Sequence, residues 1–195
     1  MRLNFFAPFF LQLCTSLFFS FSLHADQKII TDTEKATLAA GCFWGVENFF
    51  RKIPGVLNAH TGYTGGATQA PKYEDLHDGK TGHAESVEVE FDPKVVKYSF
   101  LLDQFFKMHD PTTLNQQGND RGTQYRSAIF YHDPMQKKIA EDFKQKVEKS
   151  KAWKSSIITE IRSAEKFWPA EEEHQNYLFK HPGGYDNHFL RKINF

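Results

Sequence analysis

The stretch Ala40-Gly41-Cys42-Phe43-Trp44-Gly45-Val46-Glu47 constrains this chain more than any other. The residues before Cys42, Ala36 to Ala40, are small and apolar and read as a short buried strand. Those after it, Phe43 to Lys52, read as a helix, because Phe43, Val46, Phe49 and Phe50 recur at helical spacing and Pro54-Gly55 stops the run. Cys42 therefore falls where a strand turns into a helix. Unpaired backbone N–H groups and the positive end of the helix dipole converge at such a point. That setting is expected to stabilise a thiolate, lower the cysteine pKa and make a nucleophile. A buried structural cysteine is the competing reading. Two flanking glycines and two large aromatics favour chemistry.

With 195 residues the chain is long enough for one domain with a sizeable core. Lysine plus arginine equals aspartate plus glutamate at 24 each, so there is no electrostatic footprint for nucleic acid. After Arg2 no charged residue occurs until Asp26, and Phe5 to Leu23 is mostly Phe and Leu. A short basic start, an apolar run and a small residue at Ala25 match a secretory signal peptide over residues 1–25. An uncleaved anchor is the alternative, since the run nearly reaches the length of a membrane span. Either way the domain is expected outside the cytoplasm, periplasmic or secreted, and in contact with membrane only if the leader is retained. One of the 2 cysteines, Cys14, lies in that leader. After cleavage Cys42 would stand alone, unable to form an internal disulfide, which implies intermolecular pairing or a free reactive thiol.

Residues 26–35 read as a polar lead-in. Val56 to Gly66 is an extended segment ending in a glycine-rich turn, and Ala67 to Gly82 a long loop of the kind that carries function. Glu85 to Phe91 alternates strictly, giving a strand with Val87, Val89 and Phe91 on its buried face. A helix over Ser99–His109, a loop over Asp110–Gln124 and a strand over Ser127–Tyr131 follow. Pro134–Lys149 is an amphipathic helix, Ile157–Ile161 a strand, and Pro169–Lys180 a helix opened by three glutamates. The tail from His181 is glycine-rich and irregular. This order predicts an α+β two-layer sandwich with a ferredoxin-like βαββαβ core.

Five motifs in order give the sequence a family likeness. Gly41-Cys42-Phe43-Trp44-Gly45, Thr61-Gly62-Tyr63-Thr64-Gly65-Gly66, Pro71-Lys72-Tyr73-Glu74, Thr81-Gly82-His83-Ala84-Glu85 and Gly118-Asn119-Asp120-Arg121-Gly122-Thr123-Gln124-Tyr125-Arg126-Ser127 resemble the A-type peptide-methionine sulfoxide reductases. The resemblance covers residues 36–181 and leaves 182–195 as a tail. It implies reduction of the S epimer of methionine sulfoxide in oxidised proteins, peptides or the free amino acid, in the service of protein repair under oxidative stress. It implies no tightly bound cofactor, an external thioredoxin-like, glutaredoxin-like or small-thiol reductant, and a monomer.

The chemistry is intelligible residue by residue. A thiolate must attack the sulfoxide sulfur, an acid must protonate the oxygen, and an apolar wall must hold the methyl group. Cys42 supplies the sulfur and becomes a sulfenic acid. Glu85 shares a strand face with Val87, so it is expected to be buried, with its pKa raised and its proton available. The resemblance selects Tyr73 and Tyr125, out of 7 tyrosines, as hydrogen-bond donors to the sulfoxide oxygen. Phe43 and Trp44 are expected to form the methyl pocket, and Asp120 to order the site.

The sequence departs from its relatives at the C-terminus. Many carry a recycling cysteine in a Gly-Tyr-Cys stretch, where this chain has Gly184-Tyr185-Asp186 and no cysteine after it. Reduction of the sulfenic acid must then come from outside. His174, His181 and His188 fit no zinc spacing and read as scattered surface histidines, so no metal is expected. Two other functions compete: a cysteine hydrolase or acyltransferase using Cys42 with His60, His83 or His109 as base, and a non-catalytic module tethered through Cys42.

Overall fold

Strand β1, Glu34–Ala40, runs through the centre of the domain and delivers the chain to Cys42. The computed structural model describes Met1 and residues 32–195, so the leader reading and Cys14 lie outside the described residues. β1 begins at Glu34, before the apolar run, because Glu34 and Lys35 still pair with Phe91 and Glu90. Helix α1, Phe43–Phe50, follows, then β2, Val56–Thr64, and β3, Ala84–Phe91. Helix α2 spans Tyr98–Met108; β4, Gln116–Gln117, and β5, Asp120–Arg121, form a small separate hairpin. Next come β6, Ser127–Tyr131, α3, Pro134–Ser150, β7, Glu160–Ser163, β8, Trp168–Pro169, and the single turn α4, Tyr177–Lys180.

The main sheet has the order β7-β6-β1-β3-β2-β8. Its four central strands pair antiparallel, and β7 adds to β6 in parallel after the α3 crossover. The α+β expectation is met, and the central order β6-β1-β3-β2 is consistent with a split βαβ core. One sheet face is closed by α1 and α2 through Phe43, Phe50, Phe105 and Phe106, all fully buried with Leu38, Val87, Val89 and Phe91. Each such side chain contributes roughly 1.5–3 kcal/mol of transfer free energy. The alternate residues Ala39, Ala84 and Ala128 pack with Phe130 in a smaller cluster.

Local signals set the long helix. The Asp133 carboxylate accepts the Gln136 N–H at 2.8 Å, Pro134 opens the first turn, and Lys151 closes the helix in a left-handed conformation.

Two elements differ from the sequence reading. The strand expected at Ile157–Ile161 lies at Glu160–Ser163, because the Ile157 N–H is taken by Glu148 and the Ile158 N–H by the Pro111 carbonyl. The helix expected over Pro169–Lys180 shrinks to α4. Pro169 belongs to an edge strand, Asn176 stands at φ 54°, and Glu171 leaves the helix-capping role for two tyrosines. Tyr63 O–H donates to it at 2.8 Å and Tyr73 N–H at 3.0 Å. The two expected loops also carry structure, a two-turn 3₁₀ segment at Tyr73–Asp78 and the β4–β5 hairpin.

Candidate active site

The last residue of β1 and the first of α1 are separated only by Gly41, at φ 95°, and Cys42. A left-handed glycine is what lets the strand turn straight into the helix. Cys42 is the helix N-cap and is only 7 % exposed. Its thiol is not activated in the way the helix dipole suggests. Burial pushes its pKa well above the ordinary value, and the Glu85 and Asp120 carboxyls add to the effect. The Trp44 and Gly45 N–H groups act in the thiolate's favour but are outweighed. The expected lowered pKa is therefore corrected: in the free protein Cys42 rests as a neutral thiol, since loss of solvent costs the anion more than two N–H groups return.

Glu85 sits opposite Tyr63 in the β2–β3 register, 2 % exposed, on the face toward α1. Its Oε2 accepts the Phe43 N–H at 3.1 Å, so it lies against the peptide that follows the nucleophile. Burial raises its pKa to about 8; the Phe43 N–H opposes the shift and Asp120 reinforces it. Glu88 and Glu90, by contrast, point to the other face, where Lys35 meets Glu88 at 2.8 Å and Thr33 meets Glu90 at 3.0 Å.

Tyr73 and Tyr125 come from the two 3₁₀ segments, Tyr73–Asp78 and Thr123–Tyr125, far apart in sequence. Burial and then Glu85 raise both phenols, Tyr73 to about 12 and Tyr125 beyond the usual tyrosine range. Cys42 and Asp120 act on both as well, which places all five groups in one electrostatic neighbourhood. No hydrogen bond contributes to either shift, in contrast to Tyr63 and Tyr185, whose hydroxyls donate to Glu171 and Asp120.

Phe43 is fully buried and Trp44 is half-buried, so Trp44 offers the open aromatic wall and Phe43 backs it. Trp44 stacks on Tyr177 with centroids 3.7 Å apart and donates its indole N–H to His174 Nδ1 at 3.1 Å. That bond puts the remaining proton of a neutral imidazole on Nε2. His174 also lies 4.3 Å from the Tyr73 ring and 5.4 Å from the Phe43 ring, between centroids. His174 and Tyr177 are thus site residues that sequence reasoning missed. Their contacts with Trp44 span 130 residues or more, and nothing local in Glu171-Glu172-Glu173-His174 announces them.

The tail brings in more. Asp120 accepts Tyr185 O–H at 2.9 Å and Asn187 Nδ2 at 2.8 Å. The His188 side chain is buried, its Nε2 donating to the Ala40 carbonyl at 2.7 Å and its Nδ1 facing Asp186 Oδ1 at 3.0 Å. Of the three histidines taken for surface residues, only His181 is exposed.

This geometry bears on the hydrolase alternative. His60 bonds Asn58, His83 bonds the Gly66 N–H and Thr68 carbonyl, and His109 bonds Phe105 and Ser127. None is a base for Cys42. A His–Asp pair does stand beside the cysteine turn, His188–Asp186, but its ring nitrogens are engaged by Asp186 and the Ala40 carbonyl, and neither bonds Cys42. Among the described residues no group of His, Cys, Asp or Glu is arranged to hold a metal.

Residues 34–194 match the family model of peptide methionine sulfoxide reductase. The chain belongs to that family. It is 52 % identical over 161 residues to the peptide methionine sulfoxide reductase MsrA of Mycobacterium leprae, covering 83 % of this chain and 89 % of the relative. It is 55 % identical over 149 residues to MsrA of Methanothermobacter thermautotrophicus, covering 76 % and 88 %. Among solved structures it resembles the reduced form of Mxr1 from Saccharomyces cerevisiae, with a TM-score of 0.77 and 38 % identity over 82 % of this chain and 93 % of that one. It also resembles methionine sulfoxide reductase A of Corynebacterium diphtheriae, with a TM-score of 0.71 and 38 % identity over 83 % and 81 %. The matched span takes in the tail residues Tyr185, Asn187 and His188, which the sequence reading had set outside the reductase domain.

Proposed function

We propose that the chain reduces the S epimer of methionine sulfoxide, in oxidised proteins, peptides or the free amino acid, by moving the sulfoxide oxygen onto Cys42. The observation that carries this reading is the buried Glu85 carboxyl, protonated at neutral pH and bonded to the peptide next to Cys42. The Cys42 sulfur bonds to the sulfoxide sulfur while Glu85 gives its proton to the oxygen. The thiol proton returns to Glu85, and the hydroxyl passes to Cys42 as the S–S bond breaks. Cysteine loses two electrons, the sulfoxide gains them, and the products are methionine and a sulfenic acid. Tyr73 and Tyr125 donate to the oxygen, Trp44 and Phe43 hold the methyl group, and Asp120 binds the substrate backbone or a water.

A buried neutral thiol suits this order of events. Cys42 stays unreactive toward solvent oxidants until a polarised S–O group sits beside it. The sulfenic acid is then cleared by an outside thiol. Yeast Mxr1 forms a complex with the thioredoxin Trx2, and the structure of that complex aligns with this chain at 29 % identity over 85 % of it, with a TM-score of 0.57. A thioredoxin-fold dithiol or a small thiol takes the same part here. The basic start and Phe-rich run of residues 1–25 support a reading in which this repair takes place outside the cytoplasm. The test is turnover of a methionine sulfoxide peptide, resolved by epimer, with dithiothreitol as reductant. Wild type is expected to consume the S epimer only and Cys42→Ser neither; equal rates on both epimers overturn the reading.

A further inference from the structure

The two glycines that flank Cys42 are not explained by chain turning alone. Gly45 lies inside α1 with ordinary helical backbone, yet a Cβ there would come within 2.2 Å of His188 Nδ1 and 2.3 Å of Asp186 Oδ1. A Cβ on Gly41 would come within 2.5 Å of the Gln117 side chain, with His188 Nε2 at 3.5 Å. The tail therefore lies flush on bare backbone at Gly45, while at Gly41 the Gln117 side chain lies flush and His188 is in van der Waals contact. The tail's three consecutive residues hold three different things. Asp186 takes the His188 N–H at 2.9 Å and the ring Nδ1 at 3.0 Å, which fixes the ring. His188 Nε2 holds the Ala40 carbonyl at 2.7 Å, the last peptide of β1. Asn187 Nδ2 reaches the Gln117 carbonyl at 3.0 Å and Asp120 at 2.8 Å.

We propose, resting on the reductase reading, that His188 is a positioning residue, oriented by Asp186, that fixes the Ala40-Gly41-Cys42 turn against Glu85. The tail, which carries no thiol, serves as a strap that completes the site. Without the His188 contact the strand–helix junction loses its only side-chain tether on that carbonyl among the described residues, and Cys42 can drift from the acid. Displacements near 1 Å at a reacting centre cost on the order of a hundredfold in rate.

The test uses the full chain with His188→Ala, His188→Gln and Asp186→Asn. Steady-state kinetics on a methionine sulfoxide peptide and the alkylation rate of Cys42 by iodoacetamide are measured for each. His188→Ala is expected to lower kcat about tenfold or more with KM within about twofold, and to speed alkylation severalfold as Cys42 is uncovered. His188→Gln, whose amide can still donate to Ala40, is expected to recover at least part of kcat; Asp186→Asn is expected to fall between. A folded His188→Ala protein with wild-type kcat and wild-type alkylation overturns the proposal. If it fails to fold, unchanged values in both His188→Gln and Asp186→Asn overturn it. Alkylation does not depend on the substrate, so changed alkylation in a chain that reduces no sulfoxide would spare the strap and sink the reductase reading.

Discussion

The Phe43 N–H donates to Glu85 Oε2 at 3.1 Å, tying the acid to the first peptide of the helix that Cys42 caps. This bond holds the acid against the peptide that follows the nucleophile. Glu85→Gln keeps the shape and an oxygen acceptor for that N–H but has no acidic proton. Turnover of methionine sulfoxide is expected to fall by about ten- to ten-thousand-fold, with peptide affinity little changed. Steady-state kinetics with a folding check decides it; unchanged kcat in a folded protein would remove Glu85 from the role.

Glu85 also gives a pH signature in stability. Its folded pKa, about 8, lies above the ordinary carboxyl value of 4.5. Below pH 4.5 both folded and unfolded chains hold the proton, and the full stability is present. Between pH 4.5 and about 8 the unfolded chain loses its proton while the folded chain keeps it, so stability falls as pH rises; above 8 the loss is complete. The penalty is on the order of a few kcal/mol. His109, lowered to about 3 by burial, acts in the opposite direction below pH 6.5. The difference between wild type and Glu85→Gln isolates the carboxyl. Chemical denaturation at pH 5, 6.5 and 8 is expected to show the variant gaining on wild type at each step, and parallel curves would contradict the shift.

His174 offers a third test. Its ring accepts the Trp44 indole N–H and stacks among Trp44, Tyr73 and Phe43. His174→Ala frees Trp44 and leaves its N–H without this acceptor. A lost hydrogen bond of about 1 kcal/mol corresponds to about a fivefold rise in KM, with kcat falling less. Kinetics on a short peptide would show it, and a fall confined to kcat would place His174 in the chemical step instead.

How much of this was legible in the sequence depended on how far each contact reaches along the chain. The β1–Cys42–α1 junction is a local event, written in a run of small residues, a glycine and a helical stripe, and it stands where it was expected. Glu85 was legible for the same reason, since strand alternation fixed its face. The thiol's state was not, because burial is a property of the whole fold and it outweighs the helix end. His174, Asn187 and His188 gave no local signal, as their partners Trp44, Asp120 and Ala40 are 130, 67 and 148 residues away. The C-terminal helix failed partly on Glu171, which looked like an N-terminal helix charge and is instead the acceptor that seats Tyr73.

The last prediction concerns recycling. Cys42 is the one free cysteine among the described residues, and the tail places Asp186, Asn187 and His188 beside it in place of a second thiol. A sulfenic acid formed on Cys42 has no thiol in the described domain with which to condense. It should persist after one turnover, sheltered by the burial that keeps the thiol quiet. A single turnover with an S-sulfoxide peptide and no added thiol is expected to yield one equivalent of methionine peptide. The protein should gain one oxygen in mass and react with a sulfenic-acid trapping reagent. Added glutathione should convert it to the mixed disulfide with release of water, and a second thiol should then restore Cys42. A loss of two hydrogens would instead report an internal disulfide. Cys14 is the only other cysteine in the chain, so that result would require it to be retained and to reach Cys42, which would refute both the cleaved leader and the single-thiol cycle.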